Sequence, residues 1–180
     1  MTEVFTQEIL KKHISTLSET SADTSISPTV YMTDSKLAAI NFDAVTDEYT
    51  QMLGIPGDVA KSVDALISLH GQITLVEFKN GDMRHERSNV TTKVRDSLLI
   101  LGDILDSNIS HFRKNFCFIL VYNESKNKKH SPSQAAISEH IVAKGDAELI
   151  RFGLSRFRTL YLKDVHTFTE AEFEDYIETK

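Results

Sequence analysis

The 180-residue chain has a single cysteine, Cys117, set inside the apolar run NFCFILVY. One thiol excludes a disulfide framework and a thiolate metal site, and its setting reads as a buried strand. No apolar run approaches the roughly 18 residues needed to span a bilayer, and the N-terminus carries no hydrophobic signal core. Membrane insertion and secretion are not expected, and a cytoplasmic protein is. The seven histidines, at positions 13, 70, 85, 111, 130, 140 and 166, never fall at the short spacing of a zinc site. Internal repeats and low-complexity tracts are absent. Positive charge is also scarce: 20 Lys and Arg face 26 Asp and Glu, giving a net charge of −6 that repels a polyanion at long range.

The imbalance is uneven along the chain. Residues 1–60 carry nine acids and three bases, and residues 164–180 carry six acids and one base. Residues 79–163 reverse the sign, with fifteen bases against nine acids. A segment able to lie against nucleic acid is thus flanked by acidic ends that face away or shield it.

With 41% hydrophobic residues, the chain suits one well-buried domain spanning 1–180. Ile9, Leu10, Ile14 and Leu17 at helical spacing predict a helix within residues 3–19, followed by the polar loop SETSADTSISPT. Asp34 or Ser35 is a cap for a second helix reaching about Leu53, with Ala38, Phe42, Val45, Tyr49 and Met52 along one stripe. Asn80-Gly81 supplies a turn, and Ser88 or Asn89 caps a third helix through about Leu105. NFCFILVY reads as a buried parallel strand, residues 133–144 as a helix, Phe157–Leu162 as a short strand and Glu170–Ile177 as a final helix. The order predicts an α/β fold whose mixed β-sheet contains an antiparallel hairpin flanked by helices.

That hairpin is the most informative stretch. Two runs rich in Val, Ile and Leu flank His70-Gly71, a dipeptide suited to a two-residue turn. If Leu69 pairs with Gln72, Asp64 lies directly across from Glu77, with Cβ atoms roughly 4.5–5.5 Å apart on one face. Lys79, two residues on, shares that face. Opposed carboxylates repel, so the pairing calls for a cation between them.

Asp64 followed by Glu77-Phe78-Lys79 resembles the signature of the PD-(D/E)xK, or restriction-endonuclease-like, nuclease superfamily, with Val63 where the eponymous proline would stand. The resemblance covers residues 36–122 as the nuclease-like core, leaving 1–35 as an N-terminal helix plus polar loop. It implies a restriction-endonuclease-like sheet in which Asp64 and Glu77 hold Mg²⁺, with Mn²⁺ able to substitute, and Lys79 positions or activates the attacking water. It further implies a third acid from the preceding helix, for which Glu48 is the closest candidate and Asp47 and Asp43 compete. On the helix after the ExK strand it suggests Lys93 near the scissile phosphate, with Ser97 one turn on and on the same side.

The loop ESKNKKHSPS concentrates Lys126, Lys128 and Lys129 without an aromatic residue, which suits phosphate contact without sequence readout. The implied activity is a metal-dependent phosphodiester hydrolase acting on DNA rather than RNA. The acidic balance keeps two alternatives open. One is a non-catalytic protein-interaction module of the immunity or antitoxin type on the same scaffold, and the other is a nuclease active only inside a larger complex.

Overall fold

The computed structural model describes residues 3–56, 58–127 and 150–179. Its centre is a six-stranded sheet in which β1 (Ile14–Thr16), β4 (Ala38–Asn41), β5 (Ala65–Leu69), β6 (Gln72–Lys79), β7 (Phe116–Tyr122) and β8 (Asp164–Thr169) lie side by side in that order. Pairing is antiparallel from β1 to β6 and parallel from β6 to β8, so the sheet is mixed, as the element order predicts. A separate antiparallel pair, β2 (Ala22–Asp23) and β3 (Val30–Tyr31), stands apart from it. Among the described residues the α-helices are α1 (Glu8–Lys11), α2 (Leu17–Thr20), α3 (Phe42–Met52), α4 (Met83–Ile104), α5 (Ile109–Asn115) and α6 (Glu170–Glu178). None among the described residues is long and apolar enough to cross a membrane.

Alternation along the strands feeds two separate cores. Leu66, Leu75, Phe118 and Leu120 join Val90, Val94 and Leu101 of α4 on one face, whereas Ile67, Val76, Phe78 and Val121 join Phe173 of α6 on the other. β7 is buried along its whole length, which explains its unbroken apolar run. By the same alternation Glu77 and Lys79 point to the α4 face. His70 and Gly71 take positive φ angles of 48° and 74°, the requirement of a tight primed turn. The register runs from Leu69 opposite Gln72 to Ala65 opposite Val76, and its continuation brings Asp64 to Glu77.

The N-terminal region departs from the predicted helix. Leu10 and Leu17 are both fully buried, but in different cores, so one helical stripe cannot serve both. The chain instead breaks after α1, adds β1 to the sheet edge and turns into α2 through a capping box of Thr16 and Glu19. The second predicted helix likewise begins later. Ala39 and Ile40 bury on opposite faces, a strand pattern, and α3 starts only where the Asn41 side chain accepts from the Ala44 N–H at 3.0 Å. Asn41→Ala should therefore cost about 1 kcal/mol, read from a urea midpoint; an unchanged midpoint would show the cap to be idle.

Further along, α4 starts at Met83 with Asp82 as its cap, several residues before the predicted Ser88 or Asn89. The last strand also moves. Phe157 and Leu162 anchor a loop by full burial, while the alternating Val165, Thr167 and Thr169 form β8. The final helix follows as predicted, capped by Thr169 and Glu172. The helix expected over 133–144 lies outside the described residues.

Candidate active site at the end of the hairpin

Three elements converge where the hairpin strands end. Asp64 immediately precedes β5, and its backbone carbonyl accepts from the Phe42 N–H at 3.1 Å, tying the start of α3 to this point. Its side chain extends the ladder: Oδ2 accepts from the Phe78 N–H at 2.6 Å. Ser97 of α4, fully buried, accepts from the Val63 N–H at 3.0 Å and so fixes the chain entering Asp64. Glu77 and Lys79 come from β6.

Lys93 of α4 supplies the cation that two opposed carboxylates require. Its Nζ lies 3.1 Å from Asp64 Oδ1 and 2.8 Å from Glu77 Oε1, and it donates to Glu77 Oε2 at 3.0 Å. Lys79 Nζ lies 3.1 Å from Glu77 Oε1 and 3.3 Å from Glu86 Oε2. Two acids and two lysines thus form a quartet whose formal charges balance, with little access to water: the Glu77 side chain is 0% exposed, Asp64 15%, and each lysine 16%. Although Glu77 Oε1 is flanked by both ammonium groups, it accepts no hydrogen bond of good geometry.

Burial, and then the charge of Asp64, push the Glu77 carboxyl up to about 8, with Lys93 and Lys79 opposing. Burial also raises Asp64, against the pull of Lys93 and the Phe78 N–H. Lys93 feels burial as a downward pull, but the attraction of Glu77 and Asp64 outweighs it and raises its pKa, so it stays protonated. Perturbed groups gathered in one buried cluster are characteristic of functional sites and also occur in structural ion networks.

Two of the four, Asp64 and Lys79, line a polar cleft of about 410 Å³ whose other walls include Asp23, Asp43, Asn80 and Glu86. Its oxygen-rich lining suits a hard divalent cation. Among the described residues, however, no three acidic, histidine or cysteine side chains gather closely enough to hold a metal by themselves.

The candidate residues distribute unevenly. Asp64, Glu77, Lys79 and Lys93 come together. Glu48, the proposed third acid, instead accepts from Lys12 at 2.5 Å and meets His13 Nε2 at 2.8 Å, which holds its carboxyl below the usual range. Its competitor Asp43, in the first turn of α3, lines the cleft and accepts from Ser62 Oγ at 2.5 Å. Ser97 is too deeply buried for the predicted phosphate contact, and its hydroxyl is committed to Val63. Lys126 is exposed and donates to Asn80 Oδ1 at 3.1 Å at the edge of the cleft. Lys128 and Lys129 lie outside the described residues.

Glu86, Asn80 and Asp23 do not stand out in the sequence. For Glu86 a signal exists: it precedes Lys93 by two helical turns, which puts both on one stripe of α4. Asp23 comes from a polar stretch that reads only as loop, and its Oδ2 accepts from Asn80 Nδ2 at 2.9 Å across the cleft. Comparison with protein-family models, with curated proteins and with solved structures finds no match, so this geometry alone carries the functional reading.

Proposed function

We propose that the chain is a Mg²⁺-dependent phosphodiester hydrolase of the PD-(D/E)xK type, acting on DNA in the cytoplasm. The observation that supports it is the fully buried Glu77 carboxyl, with two lysines within 2.8–3.1 Å, set behind Asp64 and Lys79 where these line a polar cleft. A buried carboxylate oxygen without a well-directed hydrogen bond is costly, and a divalent ion would satisfy it. Asp64 and Glu77 are the residues that would hold the ion. Mn²⁺ should replace Mg²⁺ at such oxygen ligands. When bound, the ion would supply Lewis-acid chemistry, polarising the phosphate and lowering the pKa of the attacking water.

The protein's own groups do the rest. Lys79, pinned between Glu77 and Glu86, keeps a positive charge at the cleft wall, where phosphorane oxygens gain negative charge. Lys93, within 2.8–3.1 Å of both acids, provides a second positive charge beside them. Asp43 and Asn80 line the space left for the phosphate and its water.

The purified chain should cleave at least one form among linear, supercoiled, branched and single-stranded DNA with Mg²⁺ or Mn²⁺, and none in EDTA. Lys79→Ala should slow cleavage on the order of 10²–10³-fold while calorimetric Mn²⁺ binding persists. Asp64→Ala and Glu77→Ala should each lose the ion. Absence of both cleavage and Mn²⁺ binding in the wild type would overturn the reading.

One observation favours a second reading. Lys93 already closes the charge balance of the quartet without any added ion, as a purely structural cluster would. In that case the chain is a non-catalytic interaction module whose acid-rich ends meet a basic protein partner. Capture of such a partner by a protein that neither cleaves nor binds Mn²⁺ would decide for it.

A further inference from the structure

Four arginines share one flank of the molecule. Arg87 and Arg95 belong to α4, and Arg151 and Arg156 belong to the segment folded against it. Arg87, Thr91 and Arg95 recur every four residues, a stripe about 12 Å long. Arg156 Nη2 donates to Thr91 Oγ1 at 2.8 Å, and Arg87 Nε donates to the Phe152 carbonyl at 2.9 Å. Arg151 stacks 4.6 Å from the Tyr122 ring centroid and 4.7 Å from that of Phe152, and donates to the Asn127 carbonyl at 3.0 Å. Arg95 lies 5.9 Å from the Phe157 ring centroid.

None of these four guanidinium groups is paired with a carboxylate among the described residues, unlike Arg84 with Asp82 and Arg158 with Asp164. The neighbouring acids of α4 are engaged elsewhere: Glu86 with Lys79 and Asn89, and Asp96 with the Lys61 N–H. The backbone is also shaped to the cluster. Phe152 and Gly153 take φ angles of 58° and 72°, a conformation uncommon for a non-glycine residue. Gly153 packs against Arg87, whose Nη2 lies 2.4 Å from where a Cβ would stand, and its φ of 72° favours glycine there.

We infer that this flank binds the sugar-phosphate backbone of duplex DNA, an assignment that takes its partner from the hydrolase reading but is tested separately. The planar fork of arginine matches phosphate oxygens, and three of the four residues are exposed. The rings beneath offer no free face for an unpaired base: Tyr122 and Phe157 are buried, and Arg151 covers Phe152. That favours a duplex over a single strand, which is held largely by stacking. Glu86 and Lys93 leave the same helix roughly 100° or more around its axis from Arg87 and Arg95, so the arginine flank is a surface separate from the quartet.

The test is fluorescence anisotropy of a labelled random-sequence duplex, in EDTA, between roughly 50 and 200 mM KCl. Four phosphate contacts imply a log affinity against log salt slope of about −3.6. Arg87→Gln with Arg95→Gln should make it shallower by about 2, whereas Arg87→Lys with Arg95→Lys should preserve most of it. A control pair at the far end of the sheet, Lys114→Gln with Lys163→Gln, should leave the slope unchanged. Circular dichroism melts establish that each variant folds.

A wild-type slope near zero, an unchanged slope in the double glutamine variant, an equal loss in the control pair, or tighter binding of a single strand through the same arginines each overturns the inference. Cleavage with Mg²⁺ is followed in parallel. Cleavage by a wild type whose binding ignores the arginines leaves the hydrolase reading standing without this surface. Arginine-dependent binding without any cleavage leaves the surface standing without the hydrolase.

Discussion

Lys93→Ala is expected to destabilise the metal-free protein by about 3–5 kcal/mol at pH 8, the cost of leaving buried charges without their partner. The figure applies because this is not a surface pair. Lys93 is 16% exposed and Glu77 0%, whereas exposed ion pairs contribute only about 0–1 kcal/mol. Its loss would leave Asp64 and Glu77 opposed on adjacent strands with Lys79 as the one remaining ammonium in the quartet. The effect should shrink toward pH 5, as the raised Glu77 and Asp64 carboxyls take up protons and remove the repulsion.

A triple variant tests the same point from the other side. Asp64→Asn, Glu77→Gln and Lys93→Met together should recover much of the lost stability, because uncharged groups of similar volume avoid the desolvation of ions. Urea denaturation in EDTA measures each variant. A Lys93→Ala loss below about 1 kcal/mol at pH 8 would mean that Lys93 swings freely to solvent and does not hold the quartet together.

What the sequence makes legible follows from how local each determinant is. The hairpin register depends on one two-residue turn and two apolar runs, so counting outward from His70-Gly71 is enough to bring Asp64 to Glu77. β7 announces itself by an unbroken apolar run because both of its faces and both of its edges are covered.

The N-terminal strands are hidden for the opposite reason. Leu10 and Leu17 fit a helical spacing, and only the existence of two cores, a tertiary fact, divides them between opposite faces of the sheet. Lys93 is legible as a residue near the site, but as a phosphate ligand. That its ammonium reaches both carboxylates depends on where α4 crosses the hairpin, which no periodicity within the helix records. The choice between Glu48 and Asp43 is likewise decided by the helix start. Asn41 caps α3 beside Asp64, so the first turn, and not the second, faces the cleft.

Glu77→Gln is expected to change how stability depends on pH. A free glutamate titrates near 4.5, and in the fold Glu77 is pushed up to about 8 by burial and by Asp64. Between those values the native state binds a proton that the unfolded chain has released, so the stability of the metal-free wild type should fall as pH rises from 5 to 8. The size is on the order of a few kcal/mol, since each tenfold gain in proton affinity on folding corresponds to about 1.4 kcal/mol. Asp64, also raised, contributes with the same sign. The raised pKa of Lys93 adds no slope here, because its stabilisation is lost only at pH values above the ordinary lysine range.

Glutamine mimics the protonated carboxyl in shape, so Glu77→Gln should match the wild type at pH 5, lose most of the slope and be the more stable protein at pH 8. Urea midpoints at pH 5, 6, 7 and 8 in EDTA provide the comparison. If wild type instead gains stability over Glu77→Gln as pH rises, Glu77 is ionised throughout, the two lysines outweigh its burial, and the quartet is a closed structural ion network. The expected order has a chemical consequence. An ion entering the site must displace the proton on Glu77, so Mn²⁺ binding should release protons and tighten steadily from pH 6 to pH 8.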